Sequence, residues 1–562
     1  MNSETKQTYI RRRQNRFRTV SIDGQALKFL IYAGLSWLRT NQETVNALNV
    51  YPVPDGDTGI NMVLTMQAAY NEIADSPEHN FGKMIHAVAH GALMGARGNS
   101  GVILSQIWRG LARGSDEIEV LDGPALVSAF CEARDTAYQG VVRPVEGTIL
   151  TVAKDIAHAA EATLAETEDP IAILERAVQE ADESVERTPD LLDVLKKAGV
   201  VDAGGKGLFF VLEGMLRYIN GQPLDTPLAT VQPLSRMALE DTLETIEPGQ
   251  DYEIVVDFRP HDKLDLRKFY SGLEEIGTSI QVGEGEGLYR MHIHVEKDRR
   301  YEPIDYTMSL GTITKVYIEN LIEQMEEIER QARGSAVNLS PVEPGQIAVI
   351  TVSPGPGISR VFASLGVAGI VEGGQTMNPS TEDILDAFED LPTNKVIVLP
   401  NNKNIIMAAN NAAELTVKQV AVIPTRSIPQ GLAAMFRLVP QGDFDEVVAE
   451  MNAALGEVDA GEITTAIRSV EINGVKVKEG ETIALLNGKL VSSAQSLEEA
   501  CISLIEQTDA SQYELLTLFY GADVSKHEAN HIADTIRAAH PLLEVELHDG
   551  GQPHYQFIIS FE

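Results

Sequence analysis

The sequence predicts a multidomain protein, in which an all-helical N-terminal domain precedes a small α/β domain and a larger α/β region with a mainly parallel sheet. Three observations predict this fold class. A chain of 562 residues is too long for one hydrophobic core. Amphipathic helical periodicity runs from about residue 24 to 220 without alternating strand segments. Beyond residue 250, short apolar strands alternate with helices, which indicates a mainly parallel sheet.

The domain boundaries follow changes in composition. Basic residues without an apolar stretch behind them indicate a disordered tail at the N-terminus, with a targeting or binding arm as the alternative. Proline-containing polar segments are typical of linkers. The predicted segments are the tail at 1–20, the helical domain at 21–220, a linker at 221–245, the middle domain at 246–332, a second linker at 333–346 and the C-terminal region at 347–562, which has room for two subdomains.

The helical domain is expected to contain eight helices, separated by short polar or glycine-containing breaks. They are predicted near 24–47, 59–75, 80–93, 100–114, 123–138, 147–166, 170–187 and 207–218, with an extra turn near 191–197. The middle domain is expected to have strands at 251–258, 279–287 and 288–296 and helices at 262–276 and 311–332. The parallel sheet is predicted from strands at 347–353, 369–374, 395–400 and 419–425, and a mixed α/β unit follows.

Composition argues against several classes of protein. The chain has 45 basic and 82 acidic residues and a formal net charge of −37, which disfavours binding to nucleic acid or to an anionic membrane. No apolar run reaches the length of a membrane span, and no secretory signal follows the basic tail. Cys131 and Cys501 lie far apart without a partner motif, so we expect reduced thiols and a cytoplasmic protein.

Four breaks between the predicted helices have unusual sequences. They are NVYPVPDGDTG (49–59), GARGNSG (95–101), GVVRPVEGT (140–148) and VDAGGKG (201–207). They join helices one to two, three to four, five to six and seven to eight, so an up-and-down helical assembly places all four at the same end. Each precedes a helix whose first N–H groups lack intrahelical partners, and such groups bind anions.

The first loop contains a candidate metal site. Asp55 and Asp57 flank Gly56, so two carboxylates can approach one point, and Asn49 can supply an amide oxygen. Hard oxygen ligands beside a phosphate site suit Mg²⁺. An ordinary Asp-Gly turn is the alternative. Across the four loops, the predicted nucleotide-binding residues are Thr58, Gly59, Asn99, Ser100, Gly101, Asp202 and Gly205. Arg97 is either a cation for phosphate or a surface charge.

Two further features are candidates for function. MHIHVE places His292 and His294 on one side of a strand, where they could bind Zn²⁺ or contact a substrate, or serve as half-buried structural residues. The polar loops GGQTMNP and PNNKN follow predicted strands, where α/β sheets place ligand sites. They could bind a partner or a small ligand, or be ordinary turns.

Several of these motifs resemble a known family. PVPDGDTGINM, GARGNSGVILSQ, RPVEGTILT and VDAGGKGL resemble the signature loops of the dihydroxyacetone-kinase nucleotide domain (the DhaL or DAK2 type), and more closely its branch in the fatty acid kinase A family. EGGQTMNPST, LPNNKNI, IPTRSIPQGLAAM and the segment from LFYGADVS to the end resemble the C-terminal region of that family. The resemblance implies an eight-helix barrel that holds ATP and two Mg²⁺ ions at one end. Three aspartates bind the metals in the dihydroxyacetone kinases. Asp55 and Asp57 match two of them, and Asn49 stands near the third.

The resemblance also implies roles for the middle domain and for a partner. In the family the histidine pair is associated with zinc and with activity, and a cysteine from a neighbouring strand completes the site. Here Glu253 stands near that position, so the implied set is His292, His294 and Glu253.

The implied reaction is ATP-dependent phosphorylation of a fatty acid carboxylate, giving an acyl phosphate, with the fatty acid presented by a DegV-type protein docked on the C-terminal region. A kinase of dihydroxyacetone or a small polyol and a non-catalytic nucleotide-binding scaffold are the alternatives. A homodimer is left open.

Overall fold

The computed structural model describes residues 22–49, 56–141, 143–224, 232–233, 252–261, 264, 266–285, 288–320, 339–375, 377–466, 470–472, 475–508 and 512–562. The chain divides into two compact units: Met1–Asp225 with Val337–Glu562, and Thr226–Ala336. The predicted tail at 1–20 and most of both predicted linkers lie outside the described residues. Among the described helices, none is long and apolar enough to cross a bilayer.

The N-terminal part of the first unit is all-helical, as predicted. Its helices are α1 Gly24–Thr40, α2 Gln42–Leu48, α3 Thr58–Ile73, α4 Phe81–Met94, α5 Gly98–Arg113, α6 Gly123–Gln139, α7 Ile149–Leu164, α8 Pro170–Leu191, α9 Asp193–Ala198 and α10 Ala203–Ile219. The single helix predicted at 24–47 is divided at Asn41. Ile31 and Leu38 of α1 and Met62 and Met66 of α3 are fully buried in one hydrophobic core. Burial of such side chains contributes about 1.5–3 kcal/mol each.

Within its described residues, the second unit has a five-stranded sheet and two short α-helices. Its elements are β1 Gln232–Pro233, β2 Tyr252–Pro260, α11 Leu266–Glu274, β3 Thr278–Gly285, β4 Leu288–Val295, α12 Glu302–Leu310 and β5 Gly311–Asn320, and the strand order is β1-β3-β4-β2-β5.

The prediction of a helix at 311–332 is wrong over its described part, because 311–320 is the strand β5, paired antiparallel with β2. The segment GTITKVYIEN is rich in β-branched residues, which favour strands. Residues 321–338 lie outside the described part.

The C-terminal part of the first unit has two main sheets. The first is parallel, in the order β7-β6-β8-β9, and the second is mixed, in the order β14-β13-β10-β17-β15-β16, beside a hairpin of β11 and β12. The strands are β6 Ile347–Ser353, β7 Gly369–Glu372, β8 Lys395–Leu399, β9 Gln419–Val422, β10 Asp459–Thr465, β11 Val470–Ile472, β12 Val475–Val477, β13 Thr482–Leu486, β14 Lys489–Ala494, β15 Leu515–Tyr520, β16 Glu544–Asp549 and β17 Tyr555–Phe561. The helices are α13 Pro356–Ser364, α14 Thr381–Glu389, α15 Ile406–Glu414, α16 Ile428–Met435, α17 Phe444–Ala454, α18 Leu497–Gln507 and α19 Lys526–Ala539.

The helical domain packs against the parallel sheet through an apolar cluster. Ala96 and Val102, at the start of α5, share a buried cluster with Ile350 and Val352 of β6. The backbone amide of Thr381 donates to the carbonyl of Ala96 at 3.3 Å. These contacts bring the loops after β7 and β8 beside the end of the helical domain where α3 and α5 begin.

Candidate functional site

A cavity of about 400 Å³ lies at one end of the helical domain, and all four predicted loops contribute to its wall. Its lining comprises Leu48, Asn49, Asp57, Thr58, Asn61, Asn99, Ser100, Ile103, Val145, Thr148, Ile149, Leu192, Val194, Leu195, Asp202, Ala203, Gly204 and Asn404. The helix alternation in the sequence therefore predicted where these loops meet. The volume lies in the range of ligand pockets, which hold one small molecule.

The loop before α3, where the sequence predicts a metal site, forms one side of the cavity. Asn49 and Asp57 line it, whereas Asp55 lies outside the described residues. Gly56 between the two aspartates has a φ of +64°, a left-handed conformation that favours glycine. Asp57 occupies the N-cap position of α3 without a side-chain capping bond. Asn46 caps the helix instead, because its Oδ1 accepts from the amides of Gly59 at 2.7 Å and Ile60 at 3.3 Å.

Because Asn46 caps α3, the Asp57 carboxylate lines the cavity without a capping bond, and its side chain is only 5% exposed. The predicted nucleotide-binding residue Gly59 is not among the residues that line the cavity, and its amide donates to Asn46. The Asp57 carboxylate and the Asn49 amide line the same cavity, and both offer the oxygen ligands that Mg²⁺ prefers. Asp57 and Asn49 thus fit a metal site beside the cavity.

The predicted phosphate-binding residues Asn99 and Ser100 lie at the start of α5. No side-chain capping bond is made at its N-cap, Arg97, whereas Thr148 and Asp202 cap α7 and α10. Asn99 and Ser100 of the first turn line the cavity, so their amides lie where an anion would be stabilised. The predicted Gly101 has a packing role, because a Cβ at that position would lie 2.4 Å from Oγ1 of Thr65.

Asp202 also lines the cavity and is partly buried. Its Oδ2 accepts from the amide of Gly205 at 2.7 Å, so the amide of Gly205 serves the helix cap, and Gly204 rather than Gly205 contacts the cavity. Removal from water raises the pKa of Asp202 to about 6, although the hydrogen bond from Gly205 acts to lower it. Asp202 therefore ionises at a higher pH than an aspartate in water.

The C-terminal region contributes residues that sequence analysis did not assign to this site. Asn404 lines the cavity and accepts from Nδ2 of Asn99 at 3.0 Å. Nδ2 of Asn378 donates to Oδ2 of Asp57 at 2.7 Å. Arg97 donates to the carbonyl of Asn378 at 3.1 Å and lies 3.3 Å from Asp383. The only signal in the sequence was the polar character of the GGQTMNP and PNNKN loops.

The second unit contains a separate cluster of possible metal ligands. One ligand atom each from Glu253, His292 and His294 lies within 4.8 Å of the others. Glu253 pairs with His294 across β2 and β4, and both histidines are buried. Nε2 of His292 lies 3.2 Å from the Glu253 carboxylate but makes no hydrogen bond within the protein. Burial, helped by His294, lowers the pKa of His292 to about 4, which keeps the imidazole neutral, as metal binding requires.

Comparison with known families defines first the class of protein and then the family. A DAK2 domain model matches residues 52–217, which contain three of the four loops and most of the first, so the helical part is a kinase-family domain. Models of the FakA-like middle domain and of the FakA-like C-terminal region, both from fatty acid kinase, match residues 247–328 and 348–562. The chain belongs to the fatty acid kinase A family.

Relatives extend over nearly the whole chain. Uncharacterised proteins of Staphylococcus aureus strains USA300 and MRSA252 are each 38% identical over 548 residues, covering 96% of this chain and 99% of theirs. Among solved structures, a fatty-acid-binding DegV family protein from Thermus thermophilus covers 39% of this chain and 99% of its own, with 13% identity and a TM-score of 0.30. The dihydroxyacetone kinase from C. freundii with AMP-PNP and Mg²⁺ covers 34% of each chain, with 17% identity and a TM-score of 0.28. These scores are too low to transfer a site.

Proposed function

We propose that this chain is an ATP-dependent phosphotransferase that phosphorylates the carboxylate of a fatty acid. The main observation is a cavity that gathers all four loops and a buried aspartate excluded from helix capping. In the reaction, a carboxylate oxygen forms a bond to the γ-phosphorus while the bond from that phosphorus to the ADP oxygen breaks. The products are an acyl phosphate and ADP, and an ionised carboxylate needs no general base.

The side chains of Asp57 and Asn49 would hold Mg²⁺, together with Asp55, which lies outside the described residues. When bound, the metal neutralises charge on the phosphates; the family resemblance implies two ions. The first turn of α5 binds and orients the phosphates through its uncapped amides at Asn99 and Ser100. Phosphoryl transfer depends mainly on positioning and charge neutralisation, so the proposed reaction needs no covalent intermediate on these residues.

The fatty acid is proposed to arrive on a separate DegV-type carrier that docks on the C-terminal region. The match of residues 348–562 to the FakA-like C-terminal model supports this assignment. The cavity of about 400 Å³ is of the size that holds one small ligand, which is consistent with a separate site for the acyl chain.

We propose a zinc site at Glu253, His292 and His294, where the two histidines would act in the reaction. Zn²⁺ binds neutral imidazoles and carboxylates at about 2.0–2.2 Å, and the buried, unbonded Nε2 of His292 fits this role. Purified protein should bind one equivalent of Zn²⁺ by elemental analysis after dialysis, and His292→Ala should lose it. His261→Ala, which removes an exposed histidine of the same unit, is the control. Full zinc retention in His292→Ala would refute this site.

The central test is ATP consumption with oleate, with and without a DegV-type carrier. We expect turnover only when both are present, and acyl phosphate should be trapped as a hydroxamate. Asp57→Ala should reduce the rate by at least 100-fold, since it removes a metal ligand. Asp75→Ala, which removes an exposed carboxylate of the same domain, should leave the rate unchanged. Undiminished Mg²⁺-dependent ATP use by Asp57→Ala would contradict the assignment.

The DAK2 match favours one alternative, a kinase of dihydroxyacetone or another small polyol. Such a kinase would consume ATP with free dihydroxyacetone and need no carrier. A regulatory scaffold, in contrast, would bind nucleotide without turnover under either condition. The same assay, run with both acceptors, therefore distinguishes the three functions.

A further inference from the structure

We propose that the C-terminal α/β region completes the kinase site of its own chain, with Asn378 as the residue that positions Asp57. This inference rests on the proposed function, because it assigns Asp57 to metal binding. It adds a role for the C-terminal region beyond docking a carrier.

The contact between Asn378 and Asp57 is buried and short. Nδ2 of Asn378 lies 2.7 Å from Oδ2 of Asp57, and the two residues are 2% and 5% exposed. The carboxylate can only accept, which assigns the amide nitrogen to the side facing it. A hydrogen bond to an ionised acceptor is stronger than one between neutral groups, and burial strengthens it further. Asn378 therefore restricts the rotation of the Asp57 carboxylate.

The backbone around Asn378 is itself held in place. Asn378 lies in the loop between β7 and α14, in which the amide of Gly374 donates to the carbonyl of Met377 at 3.1 Å. A reciprocal capping box between Ser380 and Asp383 fixes the start of α14. The loop is thus fixed on both sides of Asn378, so the direction of its side chain is determined by the C-terminal region.

The helical domain also contacts the loop between β7 and α14. Arg97 donates to the carbonyl of Asn378 at 3.1 Å and pairs with Asp383 at 3.3 Å. A second contact joins the cavity side chain of Asn99 to Asn404, in the loop after β8. Contacts from the C-terminal region therefore reach three neighbouring positions of the candidate site: Asp57, Arg97 and Asn99.

The other amide atom of Asn378 is also informative. Its Oδ1 is buried and has no hydrogen-bond partner within the protein. Buried polar atoms are normally paired, so an acceptor left over beside a metal-binding carboxylate suits a donor that arrives with the metal, such as a coordinated water. Partners that orient ligating groups typically contribute 10–100-fold to metal affinity.

The test is a Mg²⁺ titration of nucleotide binding in the full-length protein. Binding of a fluorescent, non-hydrolysable ATP analogue would be measured from zero to saturating Mg²⁺ in wild type, Asn378→Ala and Met377→Ala. We expect Asn378→Ala to raise the Mg²⁺ concentration at half-saturation about 10–100-fold, while binding at saturating Mg²⁺ stays close to wild type. A loss of loop structure would instead weaken binding at every Mg²⁺ concentration.

Met377→Ala is the matched control, because Met377 precedes Asn378 in the loop but is 52% exposed and lines a different cavity. It should leave the Mg²⁺ midpoint unchanged. If Asn378→Ala fails to fold, Asn378→Ser serves, since serine keeps a polar group but is too short to reach Asp57. An unchanged midpoint in a folded Asn378 variant overturns the inference.

Failure of the proposed function itself has a different signature. Asp57→Asn would then keep Mg²⁺-dependent binding of the analogue, whatever the result at Asn378. Loss of binding in Asp57→Asn, combined with wild-type behaviour in the Asn378 variant, rejects only the positioning role.

Discussion

Replacing Asp202 with asparagine should stabilise the helical domain above neutral pH. Burial raises the pKa of Asp202 to about 6, whereas an aspartate in an unfolded chain has a pKa of about 3.9. Because the folded pKa is the higher one, Asp202 contributes most to stability below pH 4, and this contribution is lost as the pH rises through 6. A difference of about 2 in pKa corresponds to at most about 3 kcal/mol.

The expected gain in the free energy of unfolding is smaller than this limit for two reasons. Asp202 keeps some contact with solvent, and its negative charge at the N-terminus of α10 stabilises the helix by about 0.3–1 kcal/mol. The amide oxygen of the introduced asparagine can still accept from Gly205, so the cap is retained. We therefore expect Asp202→Asn to raise the free energy of unfolding by about 1–2 kcal/mol at pH 8 and to have no stabilising effect at pH 4.

The assay is urea unfolding of the ligand-free protein, followed by tryptophan fluorescence at both pH values. The chain has two tryptophans, Trp37 and Trp108, and both are buried in the helical core, so the signal reports on this domain alone. Asp169→Asn, which alters the exposed N-cap of α8, controls for exchanging a charged cap for a neutral one. Equal effects of Asp202→Asn at pH 4 and pH 8 would refute the reasoning.

Two further predictions concern backbone strain and a buried ion pair. Gly98→Ala should weaken nucleotide binding and lower the urea midpoint of unfolding measured by tryptophan fluorescence. Gly98 has a φ of +57°, and a Cβ there would lie 2.7 Å from Nδ2 of Asn61. An unchanged urea midpoint would contradict this prediction. Arg290→Met should destabilise the second unit by about 3–5 kcal/mol, because it leaves the buried Asp257 carboxylate, now 2.6 Å from Nε of Arg290, without its partner. Limited proteolysis should cleave the second unit faster in Arg290→Met than in wild type. Arg299→Met, which breaks a more exposed ion pair, should be cleaved at the wild-type rate. Equal cleavage rates for Arg290→Met and wild type would show that the buried ion pair is dispensable.

Local sequence patterns predicted most of the secondary structure. Helical periodicity with polar or glycine-containing breaks located the helices of the N-terminal domain, since each pattern acts over a few residues. Where it failed, the pattern was ambiguous. Residues 311–320 could pack as a helix or a strand, and pairing with β2 decided for the strand. The break at Asn41 was likewise missed.

The candidate site was predictable up to the convergence of its loops. The four unusual loops alternate with ordinary breaks between the helices, so the sequence predicts that they lie at one end of the helical domain. Five of the residues predicted there line one cavity: Asn49, Asp57, Asn99, Ser100 and Asp202. The sequence did not indicate which backbone amides of these loops are already bonded within the protein. The amides at Gly59 and Gly205 serve helix caps, because side chains nearby compete with a ligand for the same donors.

The sequence by itself thus determined the helical domain, the positions of its ligand-binding loops and the family. Only the tertiary structure decided what completes the site. Asn378 and Asp57 are 321 residues apart, and no local pattern couples them. Their hydrogen bond depends on the packing of α5 against the parallel sheet, where Ala96 and Val102 join the buried residues of β6. Hydrophobic burial fixes that approach, and the directed polar contacts form only once it is made.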